Sequence, residues 1–186
     1  MSLQPSRRLL LKCALGGAVT LALNSRTATA ASAIKKRERC VLRLANTHTH
    51  EQLNVLYKYD GQYIPQSLDR LDYHLRDHRQ NEARVMDPEL FDQLYEIQRL
   101  LGSKDTFEII SGYRSMTTNE MLRRTSSGVA KNSYHVKGQA LDIRLQNTPL
   151  SDLRQAAIDL QAGGVGIYSG SNFVHIDTGP VRHWGS

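Results

Sequence analysis

The sequence predicts a single α+β domain, a small antiparallel sheet with helices packed on one side. Three observations carry that expectation. Strand-like stretches with apolar alternation fall near the beginning, middle and end of the chain. Helix-period stretches lie between them. The last two strand-like stretches flank Ser-Gly-Ser and read as a hairpin. A chain of 186 residues is long enough for one domain with its own core. No internal repeat or low-complexity tract complicates that reading.

The elements follow in order. Residues 40–46 (CVLRLAN) and 53–61 (LNVLYKYDG) alternate as strands, with the turn NTHTHEQ between them. A helix is expected from Ser67 through SLDRLDYHLRDHRQ, because Leu68, Leu71 and Leu75 recur at helical spacing. The clearest helix is DPELFDQLYEIQRLLG, residues 87–102. Asp87 can cap it, Pro88 suits the first helical position and Gly102 suits its end. Leu90, Leu94, Ile97 and Leu101 form its apolar stripe. FEIISGYRS reads as a strand that breaks at Gly112, and TTNEMLRRTSS as a short helix. SSGVAKNSYHVKGQ is loop-like and ALDIRL is a strand. SDLRQAAIDLQAGG is a helix, and VGIYSGSNFVHID forms the hairpin. The tail TGPVRHWGS is too short for a further element.

The net charge of +6 belongs largely to the N-terminus. Residues 1–30 hold Arg7, Arg8, Lys12 and Arg26 and no acid, so the remainder carries 20 basic and 18 acidic side chains. A net of +2 gives no basic face of the kind nucleic-acid binding requires. The same N-terminus reads as an export signal. Paired arginines in SRRLLLK precede a short apolar run, too short for a good membrane span, and ATA-AS supplies a small-residue cleavage site. The paired arginines point to the twin-arginine route and a periplasmic destination. Lys12 before Cys13 argues against a lipoprotein, while a retained anchor is the alternative. Residues 31–39 form a basic, mobile lead-in, and no stable membrane span is expected after cleavage. Cys40 is then the only cysteine, so no internal disulfide can form and the domain relies on its core or a metal.

The chemistry concentrates in two stretches. In NFVHIDTG, His175, Asp177 and Phe173 share one face of a strand. In SYHVKGQALDI, His135 sits in a loop and Asp142 on the next strand, with Gly138 between them so that the loop can turn back. A sheet can bring the three together. Two imidazoles and a carboxylate make a catalytic zinc set with one position open to water. Taken singly, each histidine also fits a solvated or core residue. His74 and His78 lie four apart, but Leu75 stands where H-E-x-x-H has its glutamate, so they read as a solvated helix face. His48 and His50 decorate an exposed turn, and Tyr113, Tyr134 and Tyr168 are candidate pocket walls.

SYHVKGQALD fits the pattern Ser-x-His-x-x-Gly-x-Ala-x-Asp of the zinc D-Ala-D-Ala metallopeptidases, the LAS group. Together with ISGYRS, GGVG and NFVHIDTGPVRHWG, it resembles the murein endopeptidase MepK family within that group, over nearly the whole mature chain. The resemblance implies a LAS or hedgehog-like metallopeptidase fold over residues 40–186. It implies one zinc ion (Zn2+) held by His135, Asp142 and His175, and Arg114 facing a substrate carbonyl or carboxylate. It makes Ser133 and Tyr134 candidates for substrate contact, with Ser133 equally able to cap its loop. Many relatives place a glutamate or histidine two or three residues before the last ligand. Here those positions are Phe173 and Asn172, which accept no proton from water. The candidates for the general base are then His183 and Asp177; His183 is favoured slightly, with Asp177 orienting His175, and Asp177 as the base is the alternative. The implied activity is hydrolysis of peptide cross-links of peptidoglycan, diaminopimelate to diaminopimelate and D-Ala to diaminopimelate. A stem-peptide carboxypeptidase and a non-catalytic wall-binding module are the alternatives. No feature of the sequence bears on oligomeric state.

Overall fold

The computed structural model describes residues 38–126 and 128–185. The expected signal and residues 31–37 of the lead-in lie outside them. Arg39 already belongs to β1 (Arg39–Asn46), which pairs antiparallel with β2 (Gln52–Tyr59). The chain then turns back at Asp60-Gly61 into the two-residue β3 (Gln62–Tyr63), antiparallel to β2. α1 (Pro65–His74) and α2 (Glu89–Leu100) precede β4 (Phe107–Ser111). α3 (Met116–Thr125), the single turn α4 (Tyr134–Lys137) and β5 (Ala140–Leu145) follow. α5 (Leu150–Asp159), β6 (Gly164–Tyr168), β7 (Phe173–Asp177) and β8 (Arg182–Trp184) complete the domain. The eight strands form one sheet in the order β3-β2-β1-β4-β5-β7-β6-β8.

The α+β class is the one expected, but the sheet is larger and mixed. β1 runs parallel to β4, and β6 runs parallel to β8. Both pairings join strands distant in sequence, which local alternation does not reveal. The tail TGPVRHWGS is the second difference, since its Arg182–Trp184 stretch forms edge strand β8.

One apolar face builds the core. Leu42, Leu44, Phe107, Ile109, Leu141, Ile143, Val174 and Ile176 pack with α1, α2 and α5 through Leu71, Leu90, Leu94, Ile97 and Leu153. Alternation then turns the intervening side chains of β5 and β7 to the opposite face. Cys40 is buried in β1 as a free thiol.

α1 starts two residues before Ser67, with Pro65 at its first position, and stops at His74 rather than running on to Gln80. Tertiary partners claim the backbone beyond it. The Leu75 carbonyl accepts from Tyr113 N–H at 2.8 Å, and Asp77 and Glu82 exchange two backbone hydrogen bonds of 2.9 and 3.2 Å. His74 and His78 therefore share no helix face. His74 is buried, and His78 stacks on His48 at 4.0 Å.

The stretch read as a loop before β5 contains α4, capped by Ser133, whose hydroxyl accepts from His135 N–H at 3.3 Å. Gly138 ends α4 in the left-handed region at φ 74, and a Cβ there would stand 2.5 Å from the Val85 carbonyl oxygen. Gly138→Ala combines left-handed strain with that clash and should cost about 2 kcal/mol or more. The melting temperature should fall by roughly 4–8 °C, which differential scanning calorimetry would read.

Candidate metal centre

A single row of residues crosses five strands. Ser111 of β4 lies opposite Asp142 of β5, and Asp142 opposite His175 of β7. His175 lies opposite Gly166 of β6, which neighbours Trp184 of β8. His135 joins this row from α4. The three residues expected as ligands thus converge, and all are buried. His135 Nε2, His175 Nδ1 and Asp142 Oδ1 lie 3.3, 3.2 and 2.8 Å from one another. A tetrahedral ion bonded at about 2.0–2.1 Å needs donors about 3.3 Å apart, so the triangle fits.

Hydrogen bonds also set the tautomers. The Gly112 carbonyl can only accept, so His135 Nδ1 donates to it at 2.7 Å and leaves Nε2 bare toward the centre. His175 Nε2 donates to Asp177 Oδ2 at 3.1 Å, which leaves Nδ1 for a metal. Burial holds the His135 pKa below its ordinary value, favouring the neutral ligand form. Burial works against a charged His175 as well. Its hydrogen bonds to Asp142 and Asp177 outweigh that and, without metal, raise the pKa to about 9. Burial would raise Asp142, but the two facing imidazoles hold it far below the usual carboxylate range.

Asp177 is fully buried and its oxygens are committed. Oδ1 accepts from Gly164 N–H at 3.0 Å, Gly179 N–H at 2.9 Å and Arg182 at 3.0 Å. Oδ2 accepts from His175 and from Arg182, the latter at 2.6 Å. Burial pushes its pKa up, yet His175 and Arg182 together pull it well below normal. Such a carboxylate orients His175 and is poorly placed to take a proton from water.

His183 is not brought to the centre. Arg182 and Trp184 line the cleft, whereas His183 between them alternates to the other face, beside Val165, and is exposed. Strand geometry thus leaves the residue expected as the base outside the cleft. Trp184 approaches closely because Gly166 has no side chain; a Cβ there would collide with the indole.

Arg114 reaches the centre from the segment after β4. Its Nη2 donates to Ser111 Oγ at 3.1 Å and to Asp142 Oδ2 at 3.2 Å. Its Nε is buried without a hydrogen-bond partner among the described residues. Ser133 and Tyr134 also line the cleft, although Ser133 is engaged as the cap of α4. Tyr168 lines it as expected. Tyr113 does not: it is buried in the core and its hydroxyl donates to Glu82 at 2.8 Å. The cleft measures about 540 Å³, ordinary for a ligand site. Residues not anticipated in it include Arg79, Arg182 and Trp184, the last forming an aromatic wall with Phe173. Tyr168 stacks on Phe173 at 4.6 Å, and Trp184 lies 5.4 Å from His175. The glycines alternating in GGVG were the available signal that large side chains cross this strand.

Comparison with known proteins identifies the family. The family described as "Peptidoglycan L,D-endopeptidase MepK" matches residues 32–184. The peptidoglycan L,D-endopeptidase MepK of Escherichia coli (strain K12) is 49% identical over 180 residues, 96% of this chain and 97% of its own. A probable peptidoglycan L,D-endopeptidase MepK of Haemophilus influenzae is 48% identical over 145 residues, 77% of this chain and 78% of its own. A buried His-Asp-His triangle with its tautomers set, in a chain matched almost end to end, places the protein in the peptidoglycan L,D-endopeptidase MepK family.

Proposed function

We propose that this chain is a zinc-dependent murein endopeptidase that hydrolyses L,D peptide cross-links of peptidoglycan. The observation that carries the reading is the triangle of His135 Nε2, Asp142 Oδ1 and His175 Nδ1, sized for a tetrahedral ion. Its relatives' printed names supply the bond type. An L,D bond joins an L-centre carbonyl to a D-centre amine, as a diaminopimelate to diaminopimelate bridge does. A D-Ala to diaminopimelate bridge is a D,D bond. Work on peptidoglycan places the protein outside the cytoplasm, and the arginine pair Arg7-Arg8 supports export by the twin-arginine route. No helix among the described residues is long and apolar enough to cross a membrane.

When bound, zinc supplies Lewis acidity and acidifies water. The chain's own groups do the rest. Arg114 directs fixed donors at the place where negative charge develops on the scissile oxygen. Asp177 holds the His175 Nε2 proton, while Arg182 keeps that carboxylate ionised. Tyr134 and the Tyr168–Phe173–Trp184 wall bound the space for the stem peptide.

The test is mass spectrometry of cross-linked muropeptide dimers incubated with the mature protein, with zinc or with a chelator. Dimers should fall to monomers only with zinc. Release of a single amino acid would indicate a carboxypeptidase. Intact dimers in both arms, with binding to sacculi retained, would indicate a wall-binding module.

Zinc uptake should depend on pH with a known sign. Without metal, His175 holds its extra proton below about pH 9, and zinc must displace it. Affinity measured by competition with a chelating dye should rise about tenfold per pH unit from 7 toward 9 and then level off.

A further inference from the structure

Three guanidinium groups, from Arg79, Arg114 and Arg182, line the cleft, while Asp142 is the one carboxylate lining it among the described residues. Arg182 is paired with both oxygens of Asp177, and Arg114 faces Asp142 and Ser111. The Arg79 guanidinium has no hydrogen bond or ion pair among the described residues, and the residue is exposed. We propose that Arg79 is a specificity-determining residue that binds a carboxylate borne by a residue flanking the scissile bond. The proposal rests on the endopeptidase reading above.

The backbone beneath Arg79 is unusually well fixed for an exposed turn. Buried Asp77 accepts from Arg79 N–H at 2.9 Å through Oδ1 and from Ser115 N–H at 2.9 Å through Oδ2. One carboxylate therefore sets the position of Arg79 relative to Arg114, the neighbour of Ser115. Arg76 clamps the same turn, pairing with both oxygens of Glu51 at 2.8 and 3.0 Å and donating to Asn81 at 2.9 Å. The turn thus presents Arg79 to the cleft with little freedom in its main chain.

Electrostatics point the same way. Two like charges on one wall favour an anion between or beside them. A diaminopimelate to diaminopimelate cross-link meets that demand, because both residues at the bond carry a free D-centre carboxylate. A D-Ala residue offers none. Arg114, hydrogen-bonded to a ligand of the metal centre, serves the scissile group itself. Arg79 has no contact with that centre and is left to the flanking carboxylate.

The probe is a stem peptide ending in diaminopimelate, with its D-centre carboxylate either free or amidated. Isothermal titration into the whole mature protein should show the free form binding about tenfold tighter. Arg79→Gln should bind both forms alike, at the weaker level. In cleavage of L,D-linked dimers, R79Q should raise KM about tenfold on the free substrate, with kcat within about twofold, and lose most of that penalty on the amidated one. Equal preference in wild type and R79Q, or the same penalty on both substrates, overturns the proposal. If the binding pattern holds while no dimer is cleaved, the endopeptidase reading fails and the Arg79 assignment stands.

Discussion

His175→Ala should abolish zinc binding and cross-link hydrolysis together. The substitution removes one of three ligand atoms from a triangle whose sides are 2.8–3.3 Å. The two ligands that remain cannot close a tetrahedral site. Lewis-acid assistance is worth several kcal/mol at the transition state, so the rate should fall by roughly 10³-fold or more. Elemental analysis and dimer cleavage would be measured on one preparation. His183→Ala is the matched control, because its side chain lies on the other face of β8, and it should keep both zinc and activity within about twofold. Hydrolysis by H175A at wild-type rate, or loss of zinc in the His183 variant, would contradict the placement of the centre.

Arg114→Ala should separate metal binding from catalysis. Arg114 touches Asp142 through Oδ2, whereas the oxygen that faces the two imidazoles is Oδ1. The metal triangle therefore survives its loss, and zinc content should be unchanged. Removing a preorganised donor to a developing oxyanion lowers kcat by roughly 10²–10³-fold. Arg114→Lys should recover only part of this, since an ammonium keeps the charge and can replace the one nitrogen, Nη2, that bonds both Ser111 Oγ and Asp142 Oδ2, but not the other fixed donors of the planar guanidinium. A kcat close to wild type in R114A, with only KM altered, would recast Arg114 as a general binding residue.

The residues of the candidate centre were legible because their information is local. His175 and Asp177 alternate on one strand, and Gly138 marks the turn that returns His135 toward Asp142. α2 was legible for the same reason, its period, cap and stop lying within one continuous stretch. What escaped depended on distant partners. α1 ends at His74 because Tyr113, 38 residues beyond Leu75, takes the Leu75 carbonyl. The parallel pair β1–β4 has no signature within either strand, and for β6–β8 the glycines of β6 signal large neighbours without saying which strand supplies them. β8 mattered most for function. Read as a coil, the tail leaves His183 free to reach the centre. Paired in register with β6, it turns Arg182 and Trp184 inward and His183 away.

The close passage of Trp184 over Gly166 has a practical consequence. The full chain contains one tryptophan, and its ring lies 5.4 Å from the imidazole whose Nδ1 faces the centre. All indole emission therefore originates beside that imidazole. Its intensity can report the filling and emptying of the centre in real time, without a label and without substrate.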